Sequence, residues 1–170
     1  MFDTTGIFDM GIGRPAVISV ELLTADTATA ELVDAFARLL PQLSSSAPPL
    51  SCQALTAVID SPANTVLIVQ NRADGAIIGT LTLVMVCTPT GVRARIEDVV
   101  VDSSFRGLGI GEALVGTTVN RATQRGARVI DLTSHRSRAA AHRLYEKVGF
   151  HVRDTTVYRY GPKPEPGQPQ

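Results

Sequence analysis

The sequence predicts a single α/β domain built on a mixed central sheet of about six or seven strands with flanking helices. Three observations lead there. The chain has 170 residues, within the ~100–200 residues of one domain. Hydrophobic residues make up 44% and charged ones 19%, enough apolar material for a core and too little charge density for a disordered chain. Segments of period two alternate with segments of helical period, hairpins first and strand–helix units later, the pattern of a sheet covered by helices.

Residues 1–16 are Gly-rich and aperiodic and read as a flexible N-terminal arm. Residues 18–22 alternate apolar and polar and predict a first strand. Thr24 is placed to cap a helix running to Leu40, with Leu32, Phe36, Leu39 and Leu40 on one face. Pro41 and the Ser/Pro-rich stretch 44–49 predict a loop, and residues 52–59 a short helix. Two β-rich runs follow, 65–70 and 76–87, joined through Asp74-Gly75, a hairpin signal between β-branched stretches. A turn at 88–91 leads into a strand over 92–101. Next come a helix (109–125), a strand (128–133), a helix (137–148) and a final β segment (150–160). Gly126 and Gly149 fall just past their helices, where a left-handed cap favours glycine. Residues 161–170 are Pro-rich and predict a disordered tail, which leaves 17–160 as the domain.

Composition narrows the function. Lys plus Arg and Asp plus Glu are 16 each, so the chain lacks the cationic surplus that drives non-specific binding to nucleic acid or anionic membranes. No run approaches the ~18 apolar residues of a spanning helix, and the N-terminus has no secretory pattern. A cytoplasmic protein is expected. Cys52 and Cys87 form no CxxC pair and read as small buried hydrophobes. His135, His142 and His151 have no zinc-ligand spacing and read as surface histidines, so no metal is expected.

The chemistry concentrates in 96–112. An apolar strand runs into Arg106-Gly107-Leu108-Gly109-Ile110-Gly111, and a helix opens directly after it. Glycine lets main-chain N–H groups approach a ligand closely. The helix start adds unpaired donors and the positive end of its dipole, so a phosphate or pyrophosphate is favoured there, with the charge of Arg106 beside it. A Walker loop would need Gly-Lys-Ser/Thr, which is absent. A dinucleotide GxGxxG would need glycine where Glu112 stands, although Asp131 lies at the distance of a ribose-binding acid.

The pattern Arg-x-x-Gly-x-Gly after a Val-rich strand resembles the coenzyme A-binding motif of the GNAT superfamily of N-acetyltransferases. The downstream run Ala141-His142-Arg143-Leu144-Tyr145-Glu146-Lys147-Val148-Gly149-Phe150 resembles the family's A-x-x-L-Y-x-x-x-G-F segment. The resemblance covers residues 17–160 and is strongest over 96–150. It implies a GNAT-like fold in which two parallel strands, 92–101 and 128–133, splay apart around acetyl-CoA. Pantetheine amides would pair with Val99, Val100 and Val101, and the pyrophosphate would lie on the backbone of 107–111. A main-chain N–H near Val99 would polarise the thioester carbonyl.

Tyr145 shares a helix face with Ala141 and Leu144, and the resemblance gives it the role of acid to the departing thiolate; the alternative is a core aromatic. A lysine-like amine, pKa ~10.4, must also lose a proton. Glu97 stands two positions before Val99, on the same strand face unless a bulge intervenes, in which case Asp98 takes over. One departure from the family pattern is Arg138, where many members carry an asparagine that contacts the coenzyme. Arginine there either reaches a coenzyme phosphate or is a solvent-facing cation. Ala141 belongs to the same coenzyme-facing turn.

The expected function is therefore an acetyl-CoA-dependent N-acetyltransferase, an acyltransferase moving an acetyl group directly onto a primary amine, with no enzyme nucleophile evident. The acceptor is a small molecule or a protein amino group; the Ser/Pro-rich, acid-poor 42–50 region disfavours a polycation. A non-catalytic acyl-CoA-binding or sensor module is the alternative, and a dinucleotide enzyme the third reading. Homodimerisation through the last β segment is compatible with the sequence.

Overall fold

In the computed structural model, residues 6–10 and 18–161 are described, with side chains from Ile18 onward. Six strands form one sheet in sequence order: β1 (Gly6–Met10), β2 (Ile18–Thr24), β3 (Asn64–Asn71), β4 (Ile77–Thr88), β5 (Gly91–Val101) and β6 (Val129–Leu132). The first four pairings are antiparallel, and β5 with β6 is parallel. Four helices accompany them: α1 (Ala30–Leu43), α2 (Cys52–Ile59), α3 (Ile110–Gln124) and α4 (Ala139–Val148). The expected single α/β domain with a mixed sheet and flanking helices is what forms.

Strand periodicity explains the two layers. On β3, Leu67 and Val69 join Leu81, Leu83, Ala94 and Ile96 beneath Ile110, Leu114 and Val115 of α3. The alternate residues Val66 and Ile68 pack on the opposite face against Leu32 and Phe36 of α1 and Leu55 of α2. A run of four buried residues on β3 is what a strand covered on both faces requires.

Several boundaries differ from the sequence reading, each for a local reason. Gly6–Met10 pairs with β2 where an irregular arm was expected; residues 1–5 and 11–17 lie outside the described residues, as do 162–170 of the tail. Thr24 is the last residue of β2, opposite Leu67, and its hydroxyl accepts a hydrogen bond from Arg121. The cap of α1 is Thr29, whose side chain accepts from the Leu32 N–H. Helix α1 continues through Pro41 to Leu43, because in a last turn a missing N–H removes only one bond and Ser44 N–H still reaches Leu40 O.

Cys52 and Cys87 are exposed, one opening α2 and the other near the tip of the β4–β5 hairpin. The expected strand over 150–160 is absent: beyond Phe150 the chain is irregular and exposed through 161. Among the described residues, no strand pairs with it. Among the described residues, no helix is long and apolar enough to cross a membrane.

Helices α3 and α4 cross at Gly111. A Cβ built there would lie 2.6 Å from Leu144 Cδ1, so a larger residue at this position would push the end of the Leu144 side chain aside. Replacing Gly111 by Ala should force Leu144 off its present rotamer, a cost of about 0.5–1.5 kcal/mol against a gain of about 1 kcal/mol in helix propensity. Trimming Leu144 to Ala in the same chain should relieve the cost. Chemical denaturation of the two single variants and the double should show coupling of at least about 0.5 kcal/mol; additive effects would contradict the crossing.

Candidate active site

The site is built where β5 parts from β6. Parallel pairing runs from Arg93 opposite Val129 to Ile96 opposite Leu132 and then stops. Residues 97–101 therefore keep β4 on one side and have no strand neighbour on the other. The parallel pairing anticipated between 92–101 and 128–133 is present over these four residues.

A bulge interrupts β5 at the same place. Thr82 faces Glu97 and Thr80 faces Val100, so Leu81 alone spans both Asp98 and Val99. Asp98 takes the left-handed conformation, φ 52°, which Asp tolerates better than most residues. An extra residue re-aims side chains around it. The bulge is the condition under which Asp98, rather than Glu97, becomes the acid beside Val99. Glu97 is instead paired with Arg95 at 2.8 Å on the strand's exposed face. Asp98 retains contact with solvent, yet partial burial first, and then the neighbouring charge of Glu97, push its carboxyl above the ordinary range.

After Val101 the chain makes one 3-10 turn, Ser103–Phe105, and enters the glycine loop. Gly107 (φ 78°) and Gly109 (φ 84°) both adopt left-handed backbone, which explains why glycine stands at these two positions. A Cβ at Gly107 would meet nothing within 4 Å, so the loop is open above its backbone. Among the described residues, the main-chain N–H groups of residues 107–112 have no hydrogen-bond partner. They form a continuous run of donors ending at the positive pole of α3. Not every residue of the motif offers a side chain: Ile110 is buried in the core, Leu108 packs against it and Gly111 carries the helix crossing. What this stretch presents is its backbone.

The loop is held from behind by α1. Arg38 pairs with Asp102 and donates to Ile77 O at 2.7 Å. Gln42 Oε1 accepts from Ser103 N–H at 2.9 Å and from Arg106 Nη2 at 3.3 Å. Arg106 also donates from Nε to Val101 O at 3.0 Å, so its charge stays beside the loop it stiffens. Burial alone would raise Asp102, but the Ser104 N–H, the Arg38 charge and bonds from Arg38 and Gln42 outweigh it and hold the carboxyl below its usual range.

Helix α4 closes the site. Arg138 is its cap residue, and its guanidinium donates to Leu43 O at the end of α1, where a cation meets the helix's negative pole. Its guanidinium is thus held by α1 although the residue is exposed. Ala141 is half-buried in the first turn. Tyr145 is half-buried with its ring edge-on to Phe150, centroids 6.1 Å apart. Burial raises its phenol, partly offset by the charge of Arg138, so the hydroxyl keeps its proton at neutral pH. The structure brings together the free edge of 97–101, the amide run and, beyond the Gly111–Leu144 crossing, the helix bearing Tyr145.

The match to the acetyltransferase (GNAT) family model spans residues 31–150, more than half of the chain and including every element just described. The chain belongs to this family. It is 32% identical over 114 residues to the glucosamine 6-phosphate N-acetyltransferase of Trypanosoma brucei brucei, covering 64% of this chain and 76% of that protein. It is 34% identical over 61 residues to an N-acetyltransferase of Methanocaldococcus jannaschii, covering 36% of this chain but only 27% of that protein. The crystal structure of a Trypanosoma brucei acetyltransferase superposes with TM-score 0.68 at 27% identity, covering 83% of this chain and 99% of that one.

Sequence reasoning missed one participant. Gln42 lies in what reads as a loop, and no local pattern shows that it bonds residue 103.

Removing the Asp102 carboxylate tests the support behind the loop. Arg38 is 47% exposed and Asp102 11%, so solvent discounts the pair, and Asp102→Asn should cost about 1–3 kcal/mol at neutral pH. A carboxyl lowered by folding stabilises above its unfolded value and loses that contribution as pH falls through its folded value. The gap between wild type and variant, read from denaturation curves, should therefore close in acid. A pH-independent gap would contradict the assignment.

Proposed function

We propose that the protein transfers an acetyl group from acetyl-CoA to a primary amine held beside Asp98, within a ternary complex. The observation that carries this reading is the run of unpaired amides at 107–112 next to a strand edge left open where pairing with β6 ends. Phosphate oxygens match amide donors at a helix start, and pantetheine amides match an open strand edge, as an added peptide strand does. Val99, Val100 and Val101 would supply that edge. Arg106, Gly107, Leu108, Gly109, Ile110 and Gly111 would line the pyrophosphate through their main chain. Ala141 is small enough to let the coenzyme pass α4. Arg138 acts indirectly, by fixing the end of α1.

Asp98, rather than Glu97, is assigned as proton acceptor. Its carboxylate, directly or through a water, takes a proton from the ammonium group and leaves a nucleophilic amine. The amine nitrogen bonds to the thioester carbon, while the Val99 N–H meets the developing oxyanion. The C–S bond then breaks, and the thiolate receives a proton from Tyr145. A phenol raised by burial is always loaded for this donation, and the proton lost from the acetylated nitrogen replenishes it. The balance is one amide and one free thiol formed, with one proton released to solvent.

The acceptor is a small-molecule or protein amine. The 32% identical glucosamine 6-phosphate N-acetyltransferase makes an amino sugar phosphate the first to try.

The test is release of free coenzyme A from acetyl-CoA across a panel of amines that includes glucosamine 6-phosphate. Tyr145→Phe should lower kcat on the order of 10²–10⁴-fold with little change in KM for acetyl-CoA. In wild type, kcat/KM should fall as Asp98 is protonated, over a pH range above that of an ordinary carboxylate. Asp98→Asn should abolish that limb, whereas Glu97→Gln should move it to lower pH by removing the charge that helps raise Asp98. Tight binding of acetyl-CoA without turnover of any amine would instead favour a coenzyme-binding sensor.

A further inference from the structure

The face of β5 turned away from α3 carries charge just before the bulge. Ala94 and Ile96 enter the core beneath α3, so the alternate residues Arg93, Arg95 and Glu97 belong to the opposite face. Their register partners on β4 are Val86, Val84 and Thr82. Helices α1 and α2 cover that face at Val66, Ile68 and Ile77, whereas neither Val84 nor Val86 belongs to a core cluster. What remains is a floor of sheet bordered by two exposed arginines, Arg93 and Arg95.

Arg95 is held in a particular orientation. Its Nε donates to Glu97 Oε1 at 2.8 Å, and among the described residues its Nη1 and Nη2 have no hydrogen-bond partner. A guanidinium anchored through Nε offers its terminal nitrogens as a planar fork, the shape that grips an oxyanion with two parallel bonds. Arg93 forms no ion pair among the described residues. A third cation stands at the start of the strand, where a Cβ built on Gly91 would lie 3.7 Å from Arg128 Cδ. The carboxylates on this face are Glu97, already engaged, and Asp131, opposite Arg95 on β6. Asp98 follows Arg95 by three residues, ~10 Å at the ~3.4 Å rise of a strand. That is the span of a small molecule with an amine at one end and an anion at the other.

We propose that Arg95, oriented by Glu97, receives a phosphate monoester carried by a small amine acceptor whose nitrogen sits at Asp98. The acceptor lies along β5 over Thr82 and Val84. Arg93 and Arg128 give the site an excess of cations over carboxylates, which favours a dianion over a single carboxylate. The proposal rests on the acetyl-transfer reading for the fate of the amine and adds the group by which the acceptor is chosen.

Calorimetric titration of the full chain in excess coenzyme A, where no acetyl group is available, compares glucosamine 6-phosphate with glucosamine. Wild type is expected to bind the phosphorylated amine at least tenfold more tightly. In Arg95→Ala that ratio should fall to near one. Arg95→Lys keeps the charge but loses the fork, and its ratio should lie between. Arg72→Ala removes a cation in the β3–β4 turn and should keep the wild-type ratio. Equal affinities in wild type, or no binding of glucosamine 6-phosphate, would overturn the proposal. So would an undiminished ratio in Arg95→Ala or a lost one in Arg72→Ala. Release of coenzyme A from acetyl-CoA separates the two readings. The ratio without acetylation of either amine supports the anion receptor and counts against acetyl transfer; acetylation without the ratio does the reverse.

Discussion

The rest of the structure depends on one constraint: main-chain donors near the end of β5 must stay unpaired without destabilising the sheet. Buried backbone groups normally find partners in the fold. Here pairing with β6 is abandoned after Ile96, a bulge turns the strand at Asp98, and two left-handed glycines carry the chain over the mouth of α3 with its amides outward. Among the described residues, the N–H groups of 107–112 have no hydrogen-bond partner.

Such an arrangement needs stiff surroundings, and these come from both sides. Behind the loop, α1 contributes Arg38 and Gln42, which fix residues 102–106 through an ion pair and side-chain bonds. In front, α4 is seated on α3 by the Gly111–Leu144 contact and tied by Lys147 to Glu112 at 2.6 Å. Arg138 joins the two supports by reaching from the start of α4 to the end of α1. The end of α1, which borders the Ser/Pro-rich 44–49 stretch, is thereby coupled to the helix bearing Tyr145. The place where an amine would enter and the place where the coenzyme would sit share one framework.

How much of this was legible in the sequence follows from the range of each interaction. The central strands, α2, α3 and the glycine loop are governed by local period and by glycine, and their boundaries agree with the sequence reading within one or two residues. The start of α1 is not local: Thr24 and Thr29 are both competent caps, and pairing of Thr24 with β3 decides between them. Pro41 breaks a helix only if the remaining turn cannot close, and here it can. The final segment has strand chemistry, but among the described residues no strand pairs with it. In the site, the choice between Glu97 and Asp98 hinged on a bulge that sequence can allow but not specify. Arg138 is exposed as expected of a cation, yet its contact lies 95 residues away.

The central claim is that main-chain amides, rather than cationic side chains, hold the diphosphate of an acyl carrier. Backbone amide NMR during titration with acetyl-CoA addresses it most directly. The account predicts the largest perturbations at residues 107–112, with a second group along the open edge at 99–101. Perturbations centred elsewhere, with these amides unmoved at saturation, would contradict it.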